Sequence, residues 1–276
     1  MIVSADTEDV LDLRGFIAYL DAHLDPDDEA SILAAAPHLR ALANNRRFLS
    51  DYLRAGLTAG FPLRHKRGSP TFMVHRDRAR GYAIRVVGWP PADQLTDFPG
   101  GASTHGYAEV LGATAHNHDF HLLTVGYAGP GYETDMYHVP TTLPDVGGAV
   151  PMTPLGRFRL SPGTVLFYPA YRVAHLQHVP SAFSISVNLI VRGPNRFAEQ
   201  HLFDLAASTV AGVTGSANDT RSFRLSLVQA LPSPAYVPAL ERICEHPAPR
   251  VRREAVLALE RCRPGSHPAA GATNPR

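Results

Sequence analysis

Histidines are the residues of this sequence whose type and spacing could do chemistry. Six of its fourteen histidines lie between His116 and His178, and two of them form the H-x-H run His116-Asn117-His118. This run stands just before a predicted strand, where residues i and i+2 point to the same face, so both imidazoles could bind one metal ion. The alternative interpretation is a pair of rim histidines that make ordinary hydrogen bonds.

A third ligand would have to come from a distant strand. His175 and His178 lie 57 and 60 residues beyond His118, before a strand predicted over 183–191, and chain closure could bring either of them back to the pair. Neutral imidazole suits iron, copper, nickel or zinc, and three facial histidines leave positions open for substrate and oxygen. The choice between His175 and His178 stays open at this point.

The histidines lie in a region whose pattern predicts short strands separated by Gly, Pro and Asp turns. Several strands spaced in this way favour an antiparallel sandwich or barrel. A long loop over 91–104 is predicted to be a rim or lid. The strands are predicted at 71–75, 82–89, 120–127, 132–139, 157–160, 163–168 and 183–191.

Helices are predicted on both sides of the strands. Apolar residues recur at helical spacing between residues 7 and 58, and two amphipathic segments follow at 234–246 and 251–262. The second pair is similar to a HEAT-type repeat, although one such unit cannot bury its apolar face without neighbours. The predicted organisation is an N-terminal helical segment (1–59), a β-barrel (60–195), a C-terminal helical segment with a HEAT-like hairpin (196–262) and a disordered tail (263–276).

The surroundings of the H-x-H run resemble the cupin family of metal-binding barrels. The first cupin motif has a glycine before H-x-H and another at the next turn, as Gly112 and Gly129 stand here. The second motif has a glycine, five residues, a proline and then a histidine; Gly163, Pro169 and His175 match it with one residue of excess before the histidine. The resemblance covers about residues 60–195 and implies a mainly β double-stranded β-helix, or jelly-roll, barrel.

One departure from the cupin motif bears on the ligand set. The family's glutamate would fall at Leu122, which cannot bind a metal. That leaves the three-histidine set His116, His118 and His175, as in the cysteine dioxygenase branch of the cupins. Glu133, on the next strand, could approach the metal as an extra ligand or serve as a base, or it could form a cross-strand polar pair on an exposed face.

Cysteine as the substrate does not follow from this resemblance. The branch's Ser-x-His-x-Tyr run corresponds to residues 186–190 here, which contain neither the histidine nor the tyrosine, and its substrate-binding arginine has no clear match near Phe72. Arg85 and Arg192 are the alternative candidates for binding an anionic substrate, because a guanidinium fork suits a carboxylate.

The combined prediction is a mononuclear non-heme iron enzyme of the dioxygenase type that oxidises a small organic, amino-acid-like substrate with O2. Fe(II) is the predicted cofactor, with Zn, Ni, Mn or Cu as alternatives. Glu133 and Tyr137 are the predicted catalytic residues, and Tyr132 and Gln177 are predicted to line the pocket. The alternatives are a metal-dependent isomerase or lyase and a non-catalytic cupin that binds a small molecule.

Composition and missing motifs exclude other classes. Lys and Arg total 26 against 25 acidic residues, so no net charge favours nucleic acid or an anionic membrane as a partner. Two cysteines provide no disulfide framework, and no apolar run reaches the roughly 18 residues of a membrane span. The one H-x-D run, His75-Arg76-Asp77, lies in a predicted turn and does not indicate a 2-oxoglutarate site. We expect a cytoplasmic protein, and a homodimer is consistent with the cupin resemblance.

Overall fold

The computed structural model describes residues 1–60, 71–94, 114–193, 199–214, 217–246 and 248–263. Gly112, the predicted lid loop beyond residue 94 and the predicted tail beyond Arg263 lie outside these ranges. The described residues separate into a larger unit that ends at Gly212 and a smaller unit that begins at Val213 and also takes in Glu199.

Four short helices begin the larger unit. They are α1 (Leu13–His23), α2 (Glu29–Ala34), α3 (Ala36–Asn44) and α4 (Phe48–Thr58). Aspartates cap the first two helices: Asp12 accepts a hydrogen bond from the N–H of Gly15, and Asp28 accepts one from the N–H of Ala30. Such caps satisfy N–H groups that have no partner within the helix.

Two antiparallel six-stranded sheets follow, in the orders β1-β8-β5-β10-β3-β2 and β12-β11-β4-β9-β6-β7. This confirms the mainly β prediction. Within the described ranges the strand pairing leaves both sheets open at their edges, so the closed barrel of the prediction is not found. The strands are β1 (Ile2–Val3), β2 (Thr71–Asp77), β3 (Tyr82–Trp89), β4 (Ala115–His116), β5 (Phe120–Ala128), β6 (Glu133–His138), β7 (Thr153–Arg159), β8 (Val165–Tyr168), β9 (Val173–Gln177), β10 (Ser184–Arg192), β11 (Gln200–Asp204) and β12 (Thr209–Thr214).

The inner strands of the first sheet are buried on both faces, and alternation along each strand divides their side chains between two cores. Along β3, Tyr82, Ile84 and Val86 pack in the core that includes the N-terminal helices. Val87 and Trp89 point the other way, into a core shared with the second sheet. Each fully buried aliphatic or aromatic side chain of this kind stabilises the fold by about 1.5–3 kcal/mol.

The chain beyond residue 195 differs from the predicted domain boundary. Residues 200–204 and 209–214, placed in the predicted helical segment, form β11 and β12. Leu202 pairs with His116 of β4, so β11 extends the second sheet, and Phe203 is buried on the outer face of that sheet. These strands are short, and a partner almost ninety residues earlier in the chain stabilises β11, so local periodicity does not reveal them.

The smaller unit contains three helices within the described ranges: α5 (Ala217–Ala230), α6 (Val237–Ile243) and α7 (Pro249–Cys262). α6 and α7 form the hairpin that the sequence predicts, and α5 packs against α7. Their shared core includes Leu225, Leu240 and Val251. α5 therefore provides the neighbour that a single helical hairpin lacks. Among the described helices, none has the length and apolar composition that a membrane crossing requires.

Gly131, in the turn between β5 and β6, offers a test of this packing. Its φ is +78°, and a Cβ there would overlap the carbonyl oxygen of Leu160. We expect Gly131→Ala to lower the free energy of unfolding by about 3 kcal/mol or more, because backbone must move in addition to the left-handed strain of about 1–2 kcal/mol.

The matched control is Gly147→Ala. Gly147 has a similar φ of +87°, and nothing lies within 4 Å of the added Cβ. This variant should lose only the conformational term, about 1–2 kcal/mol. Urea unfolding followed by circular dichroism measures both, and equal losses would contradict the close approach at Gly131.

Candidate metal centre

Strand pairing brings the H-x-H pair to His175. In the second sheet β4 lies beside β9, and His116 is the direct antiparallel partner of His175. The Nε2 atom of His118 lies 3.3 Å from the Nε2 atom of His175. One nitrogen from each of the three histidines falls within 4.8 Å of the other two. The three side chains therefore form a single cluster, and all of them are buried.

Asn117, the middle residue of the H-x-H run, positions the pair. Its side chain is completely buried. Its Oδ1 accepts a hydrogen bond from the N–H of His201 at 2.7 Å, and its Nδ2 donates to the carbonyl oxygen of Tyr171 at 3.1 Å. The N–H of Tyr171 in turn donates to the carbonyl oxygen of His118 at 2.8 Å. Neighbouring segments on both sides thus fix the backbone that carries the two histidines.

One distance within the cluster matches two ligands of a shared metal ion. Imidazole nitrogens bind zinc at about 2.0–2.1 Å, which places two of them about 2.8–3.4 Å apart at octahedral or tetrahedral angles. The 3.3 Å separation of the Nε2 atoms of His118 and His175 lies in that range. The cluster therefore has the donor type of a three-histidine site, and His118 and His175 also have the spacing of two ligands of one ion.

Burial also favours the ligand form of the imidazoles. It holds the pKa of His118 and of His175 well below the usual range, and the neighbouring histidines and the Arg85 charge lower the pKa further. Both rings are therefore neutral at neutral pH, with a nitrogen lone pair available to a metal.

Strand parity distinguishes His175 from His178. Residues 175 and 177 of β9 point between the sheets, and Met136, the partner of His175 in β6, is buried there too. His178 is an odd number of residues away from His175, so its side chain points to the opposite face of the sheet. Its Nε2 lies 2.8 Å from Oδ2 of Asp135. The structure therefore does not bring the alternative ligand His178 to the cluster.

The predicted catalytic residues Glu133 and Tyr137 lie on the face of β6 that points away from the histidines. On β6 the buried residues Thr134 and Met136 alternate with partly exposed Glu133 and Tyr137. Glu133 accepts a hydrogen bond at 2.7 Å from Arg159, its cross-strand partner. It forms the exposed polar pair that was its alternative interpretation. Tyr137 packs in the apolar cluster on the outer face of the second sheet. Neither side chain reaches the histidines.

Of the two arginines predicted to bind an anion, the structure places Arg85 beside the histidines and Arg192 away from them. Arg192 is exposed and donates to Oδ2 of Asp27 at 2.8 Å, so its guanidinium is paired with a carboxylate on the surface. Arg85 lies on β3, on the same strand face as Trp89, and lines a cavity together with His116 and His118.

This cavity, about 60 Å³ in volume, lies between the two sheets. Both predicted pocket residues, Tyr132 and Gln177, contribute to its wall. Burial raises the pKa of Tyr132 to about 12, so its hydroxyl stays protonated and can donate a hydrogen bond. The Oε1 atom of Gln177 is buried without a hydrogen-bond partner. Leu122, at the position of the missing cupin glutamate, forms part of the apolar wall.

The sequence analysis did not single out Trp89 and Tyr168 at this site. Trp89 lines the cavity and donates from Nε1 to Oγ of Ser186 at 2.9 Å. The ring of Tyr168 packs edge-on against His175, with 4.7 Å between the ring centroids. A signal existed for Trp89, because it lies four residues beyond Arg85 and so shares its strand face.

Comparisons with known proteins do not identify a family for this chain. No protein-family model matches it, and no curated protein sequence matches it either. The similar solved structures are cupin-fold proteins. One is a hydroquinone 1,2-dioxygenase in complex with Cd²⁺ and 4-hydroxybenzonitrile, 11% identical over 48% of this chain and 68% of that chain, with a TM-score of 0.28.

Two further similar structures differ in function from the first. A chain from the crystal structures of two DMSP lyases is 14% identical over 74% of this chain and 84% of that chain, with a TM-score of 0.28. A Cupin_2 domain of an XRE family transcriptional regulator from Enterobacter cloacae is 11% identical over 45% of this chain and 96% of that chain, with a TM-score of 0.24. At these values the likeness assigns no activity to this chain.

The ion pairs on the outer face of β6 and β7 generate a pH prediction. Hydrogen bonds from Arg157 and, to a smaller extent, from His178 together lower the pKa of Asp135 from 3.8 to about 2. A carboxyl whose folded pKa is depressed stabilises the fold above its unfolded pKa, and this contribution disappears as the pH falls toward the folded value. We expect Asp135→Asn to lose about 1 kcal/mol at pH 7, reduced by solvent screening of the half-exposed Arg157.

This prediction is checked by urea unfolding of both proteins at pH 7 and near pH 2. The difference should shrink at the lower pH, where the wild-type carboxyl becomes protonated. A difference that is the same at both pH values would contradict an electrostatic origin.

The histidine cluster generates a metal-binding prediction. Titration with Co(II) or Zn(II) should give one ion per chain and raise the melting temperature, since a ligand at 100 times its Kd stabilises the native state by about 2.7 kcal/mol. His118→Ala and His175→Ala should each weaken binding more than the roughly 10–100-fold effect of altering a residue behind the ligands. The matched control is His138→Ala, which removes an exposed histidine of β6. Full binding by a variant carrying both His116→Ala and His118→Ala would contradict the site.

Proposed function

We propose that the chain is a mononuclear metalloenzyme in which His116, His118 and His175 hold Fe(II), and that it oxidises a small organic substrate with O2. The observation that carries this proposal is the buried three-histidine cluster at the wall of a cavity between the two sheets. Buried histidines without a shared function would be expected to satisfy their ring nitrogens separately, whereas here three nitrogens converge.

The donor set supports a redox-active divalent metal. Three neutral imidazoles suit iron, and they leave coordination positions for other ligands. Bound Fe(II) would supply the means of bringing substrate and O2 together and passing electrons between them. Within the described residues the cluster contains no thiolate or carboxylate, so the protein ligands leave the ion its full positive charge.

The chain's own residues orient the substrate and keep water out. The Tyr132 hydroxyl, held in its protonated form, can donate a hydrogen bond to the substrate, and the unpartnered Oε1 of Gln177 can accept one. Val87, Trp89 and Leu122 provide apolar walls. Exclusion of water by such walls strengthens each polar contact inside the cavity.

The test begins with protein purified without oxygen. Elemental analysis should find close to one iron per chain, and the variant carrying both His116→Ala and His118→Ala should lose it. An oxygen electrode then follows O2 consumption while small carboxylic and amino acids are added one at a time. The matched control is wild-type protein loaded with Zn(II), which has no redox chemistry and should consume no oxygen.

Two results would overturn the proposal. A bound metal without oxygen consumption, together with isomerised or cleaved products, would favour the isomerase or lyase. Protein that contains no metal and takes none up on reconstitution would favour a non-catalytic protein that binds a small molecule.

A further inference from the structure

Arg85 is a partly buried cation beside the cavity, and it has no counter-charge among the residues that the structure describes. Its Nε atom is shielded from solvent and has no hydrogen-bond partner, although the residue as a whole is only partly buried. Its cross-strand partners are Asn188 on β10 and Met73 on β2, neither of them acidic. Among the residues that the structure describes, it forms no ion pair. Four other arginines on or beside the strands of the larger unit each meet a carboxylate: Arg157, Arg159, Arg172 and Arg192.

The surroundings of Arg85 do not offset this charge. Burial lowers its pKa to about 10, so the guanidinium remains protonated at neutral pH. No Asp or Glu is present among the described residues that line the cavity. An uncompensated buried charge destabilises a fold, and such groups are normally paired or bind a ligand. The described residues supply no anion to this cavity, so a bound ligand is the partner that would neutralise Arg85.

Two neighbouring polar groups are also arranged to donate, while the Oε1 atom of Gln177 is available to accept. Oδ1 of Asn188 accepts the hydrogen bond of Thr124, so the amide nitrogen is the group that Asn188 has left to offer. The Tyr132 hydroxyl stays protonated. Arg85, Asn188 and Tyr132 thus present donors to one small space. A site with several donors and no acidic group is complementary to an anion.

We propose that the substrate of this cavity is a small organic carboxylate and that Arg85 binds its carboxylate group. This inference rests on the proposed function, because a divalent ion on the three histidines would add further positive charge beside the guanidinium. The planar guanidinium fork matches a carboxylate with two parallel N–H···O bonds. The part of the cavity bounded by described residues, about 60 Å³, has room for a few non-hydrogen atoms. Both features favour a short-chain acid.

The experiment measures carboxylate binding rather than turnover. Full-length protein is loaded with redox-inert Zn(II), and acetate and glycolate are titrated into it by calorimetry, beside the matched neutral amides and inorganic phosphate. The acids should bind, and the amides should bind at least tenfold more weakly. Arg85→Gln should weaken acid binding at least tenfold, whereas Arg85→Lys, which keeps the charge but not the fork, should retain part of it.

Two further measurements on Arg85→Gln separate a binding role from a structural role. The variant should bind Zn(II) as tightly as the wild type or more tightly, because a nearby positive charge has been removed. Its melting temperature should equal or exceed that of the wild type, because an unpaired buried charge has been removed. An arginine that serves only the packing would give a lower melting temperature and leave the preference for acids over amides intact.

The outcomes distinguish this inference from the proposed function. Arg85→Gln that binds acids within twofold of the wild type, or wild type that binds phosphate more tightly than every acid tested, would overturn the carboxylate site whatever the metal does. Wild type that takes up no metal but still binds acids through Arg85 would overturn the proposed iron site and support the anion site. Normal Zn(II) binding together with acid binding that is lost in Arg85→Gln supports both.

Discussion

The pairing of β4 with its two neighbours is the interaction on which the candidate site depends. β4 contains only two residues, yet it places His116 opposite His175 on one side and opposite Leu202 on the other. Asn117 holds the chain in place beyond the end of β4, because its buried side chain forms hydrogen bonds with the backbone of His201 and Tyr171. A one-residue shift of this register would turn the histidine side chain away from its partner. The backbone hydrogen bonds of a short strand thus determine the geometry of the whole cluster.

Apolar packing elsewhere in the larger unit offsets the free-energy cost of the polar groups buried between its two sheets. Three histidines, Arg85 and Gln177 lie between the two sheets, where apolar side chains would pack more favourably. The opposite face of the first sheet gains stability instead, because it packs against the N-terminal helices in an apolar core that includes Phe16 and Leu20. Stability gained in one core permits polar groups in the other, a division that is common at functional sites.

Strand parity explains which parts of the site were predictable from sequence. The H-x-H run can be predicted as a ligand pair from sequence, because any strand-like backbone points both histidine side chains to the same face. The third histidine cannot be predicted in this way, because the direction of its side chain depends on where β9 begins, and local sequence does not determine that residue. His175 and His178 differ by an odd number of residues, so only one of them can face the cluster. The same parity turns Glu133 outward. β11 was missed because its partner, β4, is distant in the chain and leaves no local periodic signal.

Two features of the cavity wall have one electrostatic consequence. At the position where the cupin motif has a glutamate, this chain has Leu122, an apolar side chain in the cavity wall. Leu122 brings no carboxylate to the cavity wall, and Arg85 brings a positive charge without an acidic partner among the described residues. Each feature alone would favour an anionic ligand, and together they act in the same direction. The balance of charge in this cavity is therefore left to the molecule that it binds, which makes charge neutralisation a basis for its selectivity.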